Sequence, residues 1–153
     1  MKKSVLKVLV SCFFIISIIC FSACFQGHTH TFNYKGICTA CQEDSCFTAK
    51  GEGGLKGVSS HEVFAGKKCY YSFIVESFSG VRCDFYSNSD YEILVKSVNV
   101  YDQDGNDVEN TFDSEYGILN LTDLEIGATY YLEVTFGYDA SVILSILELP
   151  TIN

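Results

Sequence analysis

The chain has 153 residues and carries ten basic against nineteen acidic side chains, a formal net charge of −9. Hydrophobic residues make up 48% of the sequence, and twelve Phe and ten Tyr supply apolar surface for a packed core, which excludes an intrinsically disordered chain. An acidic surface repels phosphate backbones, so nucleic acid is excluded as a partner. The length fits one domain with short attachments.

The first 23 residues have the parts of an export signal. A basic stretch, 1–7, precedes an almost wholly apolar run over 8–20, which we expect to be helical, and small residues then lead to Cys24. The rest of the chain keeps seven basic and nineteen acidic residues, a net charge of −12. We therefore expect this segment to direct the rest of the chain out of the cytoplasm.

The end of this segment resembles a bacterial lipoprotein signal, in which a small residue precedes the cysteine that receives diacylglycerol. Ser22, Ala23 and Cys24 match it, and Phe21 stands where leucine is usual. The resemblance implies cleavage before Cys24, lipidation of Cys24, and an extracytoplasmic protein anchored to the cell membrane. Two alternatives remain open: free secretion, and an uncleaved helix over 8–25, just long enough for a hydrocarbon core of about 30 Å.

The next segment concentrates two of the three histidines with two cysteines. In an extended strand His28 and His30 point to the same side, and Cys38 and Cys41 have the two-residue spacing of a metal knuckle. Together they predict a tetrahedral zinc site. The segment is too small to fold on apolar burial alone, so metal would have to organise it.

This run resembles a short zinc-ribbon-like element of exported proteins from Gram-positive bacteria. The matching residues are His30, Phe32, Gly36, Cys38 and Cys41. Gln42 stands where glycine often follows the second cysteine, and the resemblance covers only about 28–42. It implies a structural zinc, because four protein ligands leave no open position for catalysis. Outside the cell, the two cysteines could instead form a disulfide or a redox pair, or the histidines could deliver zinc to another protein.

From residue 57 onward the pattern changes to short strands. Apolar and polar residues alternate along several runs, turns separate them, and no window has helical periodicity. At Lys96-Ser97 the alternation slips, which indicates a β-bulge. We predict an all-β fold, an antiparallel β-sandwich over 57–149 preceded by a linker at 43–56. The expected core contains Phe73, Val81, Phe85, Val100, Leu132, Val134, Phe136 and Leu144.

Two segments, 100–105 and 124–134, resemble the bacterial pre-peptidase C-terminal type of β-sandwich. In that type a Tyr-Tyr-Leu-x-Val strand follows a glycine turn, and a Tyr-Asp-x-x-Gly turn joins earlier strands. The resemblance implies a jelly-roll-like topology and a non-catalytic accessory domain. The predicted division is a signal at 1–23, a lipidated N-terminus with the zinc-ribbon-like element at 24–42, the linker, and the sandwich.

The sandwich offers few catalytic candidates. His61 is its only histidine and no Gly-x-Ser-x-Gly elbow accompanies it, so we expect a solvated side chain. The segment 102–107 gathers three carboxylates around a glycine, which suits a plain turn or calcium. Cys69 and Cys83 are expected as buried free thiols, and Cys46 is open as a disulfide partner or replacement metal ligand.

The sequence thus predicts a non-enzymatic cell-envelope lipoprotein whose sandwich is an interaction or accessory module that folds without the zinc element. Its ligand would be an extracellular protein or polysaccharide. Tyr70, Tyr86 and Tyr131 could form an outward aromatic face for it, or an ordinary surface, since tyrosine is also a good strand former. The alternatives are a metal-handling protein, a thiol oxidoreductase using the Cys38 and Cys41 pair, or a hydrolase.

Overall fold

The computed structural model describes residues 29–52, 54–87 and 95–150. Every regular element in these ranges is a β-strand, so the all-β prediction is confirmed. The predicted signal segment, Cys24 and His28 lie outside the described residues. Within those same ranges, no helix is long and apolar enough to cross a membrane.

Ten strands form two sheets. The strands are β1 (Cys46–Thr48), β2 (Lys50–Glu52), β3 (Leu55–Val63), β4 (Lys68–Ile74), β5 (Gly80–Ser87), β6 (Val95–Tyr101), β7 (Asn110–Asp113), β8 (Ile118–Leu121), β9 (Thr129–Phe136) and β10 (Ala140–Leu149). One sheet has the order β1-β4-β9-β6 and the other β2-β3-β10-β5-β8-β7. Among these strands β1 and β4 run parallel, and the other neighbours are antiparallel. The sheets share one apolar core, which confirms the β-sandwich.

The core is built from alternate side chains, because successive residues of a strand point to opposite faces. All eight residues predicted for the core are at most 3% exposed. They are Phe73, Val81, Phe85, Val100, Leu132, Val134, Phe136 and Leu144. Full burial of one such side chain contributes about 1.5–3 kcal/mol, so the sandwich has the apolar stabilisation of an ordinary domain.

Two β-bulges adjust the register of the strands. A shift between Val95 and Ser97 opposite β9 confirms the predicted bulge, and it allows both Val95 and Val100 to point inward. The second bulge lies in β3 between Val58 and His61, opposite β10. The alternation pattern does not reveal this second bulge, because the residues between Val58 and His61 are polar on both faces.

The segment 43–56, predicted as a linker, instead contains β1, β2 and the first residues of β3. Ala49 joins the apolar core, and its amide donates to the Ser72 carbonyl oxygen (2.8 Å), so the chain crosses there from one sheet to the other. Strands of three residues are too short to produce a recognisable alternation. Gly51, interpreted as a linker residue, is required by packing, since an added Cβ would collide with the Leu55 carbonyl oxygen.

A buried ion pair links β3 to β10. Lys56 Nζ lies 2.5 Å from Glu148 Oε1, and the two side chains are 4% and 0% exposed. The backbone amides of Glu76, Ser77 and Phe78 also donate to the Glu148 carboxylate, at 2.5 to 3.1 Å. Desolvation raises the pKa of Glu148, but Lys56 and the three amides outweigh it and lower the pKa to about 2. The carboxylate therefore fixes the loop after β4 to the ends of two strands.

Candidate metal centre

The Cys/His segment, residues 29–45, folds as a short hairpin. Phe32 pairs with Cys38 through an isolated bridge. Between them, the Asn33 side-chain oxygen accepts hydrogen bonds from two following backbone amides, at 2.9 and 3.1 Å. Gly36 has a φ of 73°, a left-handed conformation that glycine adopts without strain, and so allows the chain to turn back.

A tight knuckle follows the hairpin turn. The Cys38 amide donates to the Glu43 carbonyl oxygen (2.8 Å), and the Cys38 carbonyl oxygen accepts from the Gln42 amide (2.9 Å). Gln42 has a φ of 63°, in the position where glycine is usual. A residue with a Cβ costs about 1–2 kcal/mol there. The knuckle therefore forms with some strain at Gln42.

The knuckle brings Cys38 and Cys41 close to His30. One ligand atom of each residue lies within 4.8 Å of the other two, and His30 Nδ1 is 3.6 Å from Cys41 Sγ. Tetrahedral zinc, with bonds of about 2.1 Å to nitrogen and about 2.3 Å to sulfur, holds two such atoms about 3.6 Å apart. The three residues thus fit a metal ion after small side-chain adjustments. The structure places no other group of this kind within its described ranges.

Glu43 is a further group at the site, which the sequence reasoning missed. Its Oε2 lies 3.3 Å from His30 Nδ1 and 4.0 Å from Cys41 Sγ. A carboxylate at this distance can serve as an oxygen ligand to a metal or orient the imidazole. The sequence feature that could have identified Glu43 is its position two residues after Cys41, in the same knuckle.

The pKa of the Cys41 thiol is raised above its ordinary value. A hydrogen bond with the Glu43 backbone lowers it, but desolvation and the neighbouring Cys38 and Glu43 side chains raise it more strongly. Negative charge on both sulfurs is therefore disfavoured in the absence of a cation. A divalent metal removes this penalty, because it binds the thiolate forms.

The predicted ligand set is only partly within the described residues. His30, Cys38 and Cys41 come together, whereas His28 lies outside the described residues, as does the predicted lipidation site. Cys46 does not join the group. Burial raises the pKa of the Cys46 thiol.

The two cysteines predicted as buried free thiols of the sandwich are both free. Cys83 is fully buried, but Cys69 is only half-buried, so the prediction of burial is wrong for Cys69. Cys83 lies in the apolar core and Cys69 packs against it, and the resulting desolvation raises the pKa of both thiols.

His61 differs from the expected solvated side chain. Its Nδ1 lies 3.0 Å from the Ser59 carbonyl oxygen, and its Nε2 lies 2.9 Å from the hydroxyl of the buried Tyr71. The Phe47 ring packs on it with the centroids 4.2 Å apart. A carbonyl oxygen only accepts, so we assign the proton to Nδ1 and let Nε2 accept from Tyr71. Both nitrogens are used within the fold, which disfavours a hydrolase site.

The acidic segment 102–107 is a turn closed by its own side chain. The Asp102 carboxylate accepts hydrogen bonds from the Asp104 amide and from the amide and side chain of Asn106, at 2.8 to 2.9 Å. The Asn106 side chain is the main cause of a lowered Asp102 pKa. The Asp102 oxygens thus serve the turn, which favours the plain-turn interpretation over calcium.

The three tyrosines considered as an outward aromatic face lie on two different sheets. Tyr70 and Tyr131 belong to β4 and β9, whereas Tyr86 belongs to β5 of the other sheet. Tyr86 is 52% exposed, but Tyr70 is only 4% exposed because Phe32 and Gly36 lie against it. The three tyrosines therefore do not form a shared face, since residue parity identifies the outward side of a strand and not its sheet.

A groove of about 580 Å³ lies at one edge of the sandwich, between β1 and residues 57–59 of β3. Cys46 and Lys50 line it, but no member of the His30, Cys38 and Cys41 group does. The groove and the metal-binding group are thus separate features.

No protein-family model matches the chain, and no curated protein matches it. The chemistry of the site follows from its own residues. Two thiols and an imidazole whose ligand atoms lie within 4.8 Å of one another could hold a metal ion, and this is the chemistry that the geometry supports best.

Proposed function

We propose that the protein is an exported, non-enzymatic cell-envelope lipoprotein in which a structural zinc ion holds the Cys/His segment on a β-sandwich interaction module. The observation that carries the zinc assignment is the convergence of His30, Cys38 and Cys41 ligand atoms within 4.8 Å. Sulfur and imidazole ligands in a tetrahedral arrangement suit zinc better than calcium or magnesium, which prefer oxygen.

His28 is the proposed fourth ligand, from its strand spacing to His30. A site closed by four protein side chains has no open position for a substrate, so the proposed role is structural. This role agrees with the small size of the segment, which gains its order from the metal rather than from a core of its own.

Export and lipidation at Cys24 are proposed from the basic, apolar and small-residue succession at the N-terminus. One lipid-modified cysteine tethers a domain to the membrane without spanning it. The likeness to the pre-peptidase C-terminal type, with its jelly-roll-like topology, supports an accessory role, and the proposed ligand is an extracellular protein or polysaccharide.

Metal analysis of the protein purified under reducing conditions tests the zinc proposal. We expect one zinc per chain in the native protein and loss of zinc in Cys41→Ser, because a hydroxyl is a poor substitute for a thiolate. Cys46→Ser is the matched control, since Cys46 lies outside the group, and it should retain zinc. A native protein without zinc, or equal zinc in both variants, would contradict the assignment.

Mass spectrometry of membrane-extracted protein tests the anchor. A diacylglyceryl-modified peptide that begins at Cys24 is expected, and Cys24→Ser should abolish it. An intact N-terminal peptide beginning at Met1 as the main species would favour the uncleaved helix instead.

A second candidate function, metal handling, is favoured by the exposure of His30 and Cys41. Solvent access to two ligands permits an incoming chelator to attack the metal, whereas Cys38 is buried. The rate of zinc transfer to an excess chelator separates the two functions. Slow release with local unfolding supports the structural role, and rapid release from a folded protein supports metal handling.

A further inference from the structure

The Cys/His segment packs on the outer face of the four-stranded sheet. Phe32 lies on Tyr70 with the ring centroids 5.7 Å apart. Beside them the backbone of Gly36 approaches so closely that an added Cβ would lie 2.7 Å from the Tyr70 Cβ. These contacts explain why Tyr70, on the outside of its sheet, is nevertheless buried.

Tyr34 makes the second contact, at the tip of the hairpin. Its ring lies 5.5 Å from the Tyr101 ring and meets the Tyr131 ring edge-on at 5.7 Å. Its hydroxyl donates to the Gln103 carbonyl oxygen (3.2 Å), and Gly105 leaves room for the ring where an added Cβ would lie 2.8 Å from it. The hairpin therefore covers a tyrosine face formed by Tyr70, Tyr101 and Tyr131.

The segment has little that would keep it folded by itself. Within residues 29–45, Cys38 is the one apolar side chain that is buried. The metal-binding group lies directly beside the docking contacts, because the His30 ring stacks on Phe32 with centroids 5.7 Å apart and Phe32 pairs with Cys38. An ion bound at this group thus joins the two arms of the hairpin next to its contact with Tyr70.

Resting on the proposed zinc site, we propose that the Cys/His segment is a metal-dependent cover: bound metal keeps it on the tyrosine face, and loss of metal releases it and exposes Tyr70, Tyr101 and Tyr131. His30 comes from one arm of the hairpin and the two cysteines from the other, so the metal binds the closed hairpin better than an open one. A ligand shifts an equilibrium by this difference in affinity. The sandwich keeps its own core when the cover leaves.

Hydroxyl-radical labelling of the mature chain, followed by mass spectrometry, tests this cover. Zinc-loaded and chelator-treated samples are compared, with Tyr70 as the reporter of the cover. Its labelling should rise several-fold when zinc is removed, while Tyr71 in the core stays protected and Tyr86, already 52% exposed, stays labelled. If Tyr70 remains protected after zinc removal, the cover is not metal-dependent and the inference is overturned while the zinc site stands.

Two other outcomes have distinct meanings. A rise in Tyr71 labelling together with Tyr70 would mean that the whole sandwich unfolds with the metal, which contradicts a separate cover. A native chain that never binds zinc would instead overturn the proposed zinc site on which the inference rests.

Tyr34→Ala tests the reverse direction of the coupling. Removing an aromatic contact should open the cover, so zinc affinity should fall about tenfold while one zinc still binds per chain. Tyr116→Ala is the control, because Tyr116 is 58% exposed on the turn between β7 and β8. Equal zinc affinity in the two variants would mean that docking and metal binding are independent.

Discussion

The sandwich and the Cys/His segment are stabilised in different ways. The sandwich is organised by a continuous set of buried apolar side chains from both sheets, whereas the segment buries one apolar side chain of its own, Cys38. The segment contacts the tyrosine face and carries three side chains that could hold a metal ion. One chain thus combines a domain that folds by apolar burial with an attached segment that has almost no apolar core of its own.

The largest effect is expected from a charge in the core of the sandwich. Val134→Asp should lower the free energy of unfolding by about 4 kcal/mol or more, because an unpaired carboxylate would replace a fully buried side chain. Denaturant unfolding followed by circular dichroism measures this change. Thr135→Asp, at the next and outward position opposite Lys68, is the control and should cost little. Equal losses in both variants would contradict the inward and outward assignment of β9.

Breaking the buried ion pair should have the next largest effect. Glu148→Gln leaves Lys56 without its main partner, although Glu76 remains 3.4 Å away. We expect a loss of about 3 kcal/mol in the free energy of unfolding, at the lower end for a broken buried pair. Lys68→Ala, which removes a 55% exposed partner of Glu133, should cost about 1 kcal/mol or less. A loss in Glu148→Gln no larger than in Lys68→Ala would show that burial of the pair is unimportant.

The lowered pKa of Glu148 predicts how the free energy of unfolding of the sandwich changes with pH. The folded pKa of Glu148, about 2, lies below its ordinary value of 4.5. Between these values the unfolded chain binds more protons, so the contribution of Glu148 is complete above about pH 4.5 and is lost as the pH falls towards 2. Denaturant unfolding of the metal-free protein at several pH values should show this decline, and Glu148→Gln should flatten it. If the free energy of unfolding declines equally in Glu148→Gln, other carboxylates are responsible for the decline.

The smallest effect is expected from an alanine substitution at Gly36, where the cover contacts the sandwich. Gly36 and Gly66 both have a left-handed φ, 73° and 69°, so alanine costs about 1–2 kcal/mol of strain at either position. Only at Gly36 would the added Cβ meet Tyr70, whereas nothing lies within 4 Å at Gly66. Gly36→Ala should therefore raise radical labelling of Tyr70, and Gly66→Ala should not. Equal labelling would mean that the segment does not rely on this close approach.

The sequence was sufficient for the core and insufficient for contacts between distant segments. Alternation over long strands identified residues such as Phe73 and Leu132, because a half-buried strand repeats every two residues. The slip at Lys96-Ser97 was visible for the same reason. β1 and β2 were not predicted, because a strand of three residues is too short to show the two-residue alternation.

The candidate site shows the same limit. Local spacing indicated His30, Cys38 and Cys41, which the hairpin brings together. It did not indicate that Tyr34 would reach Gln103, a residue 69 positions away. Nor could a lone Lys56 in a glycine-rich stretch reveal a partner 92 positions away. Such contacts depend on which strands are neighbours in the sheets, and local sequence patterns do not specify this order.

The crossing of the chain at Ala49 has a mechanical consequence. β1 lies beside β4 in one sheet and β2 beside β3 in the other, so the sandwich is entered through both sheets in succession. A pull along the strand from the N-terminal side loads the parallel β1 and β4 ladder in shear before it reaches the second sheet. Tension applied from the N-terminal side would therefore act first on the β1 and β4 ladder and only afterwards on the β2 and β3 ladder, so the core behind them would be shielded from the first increment of force.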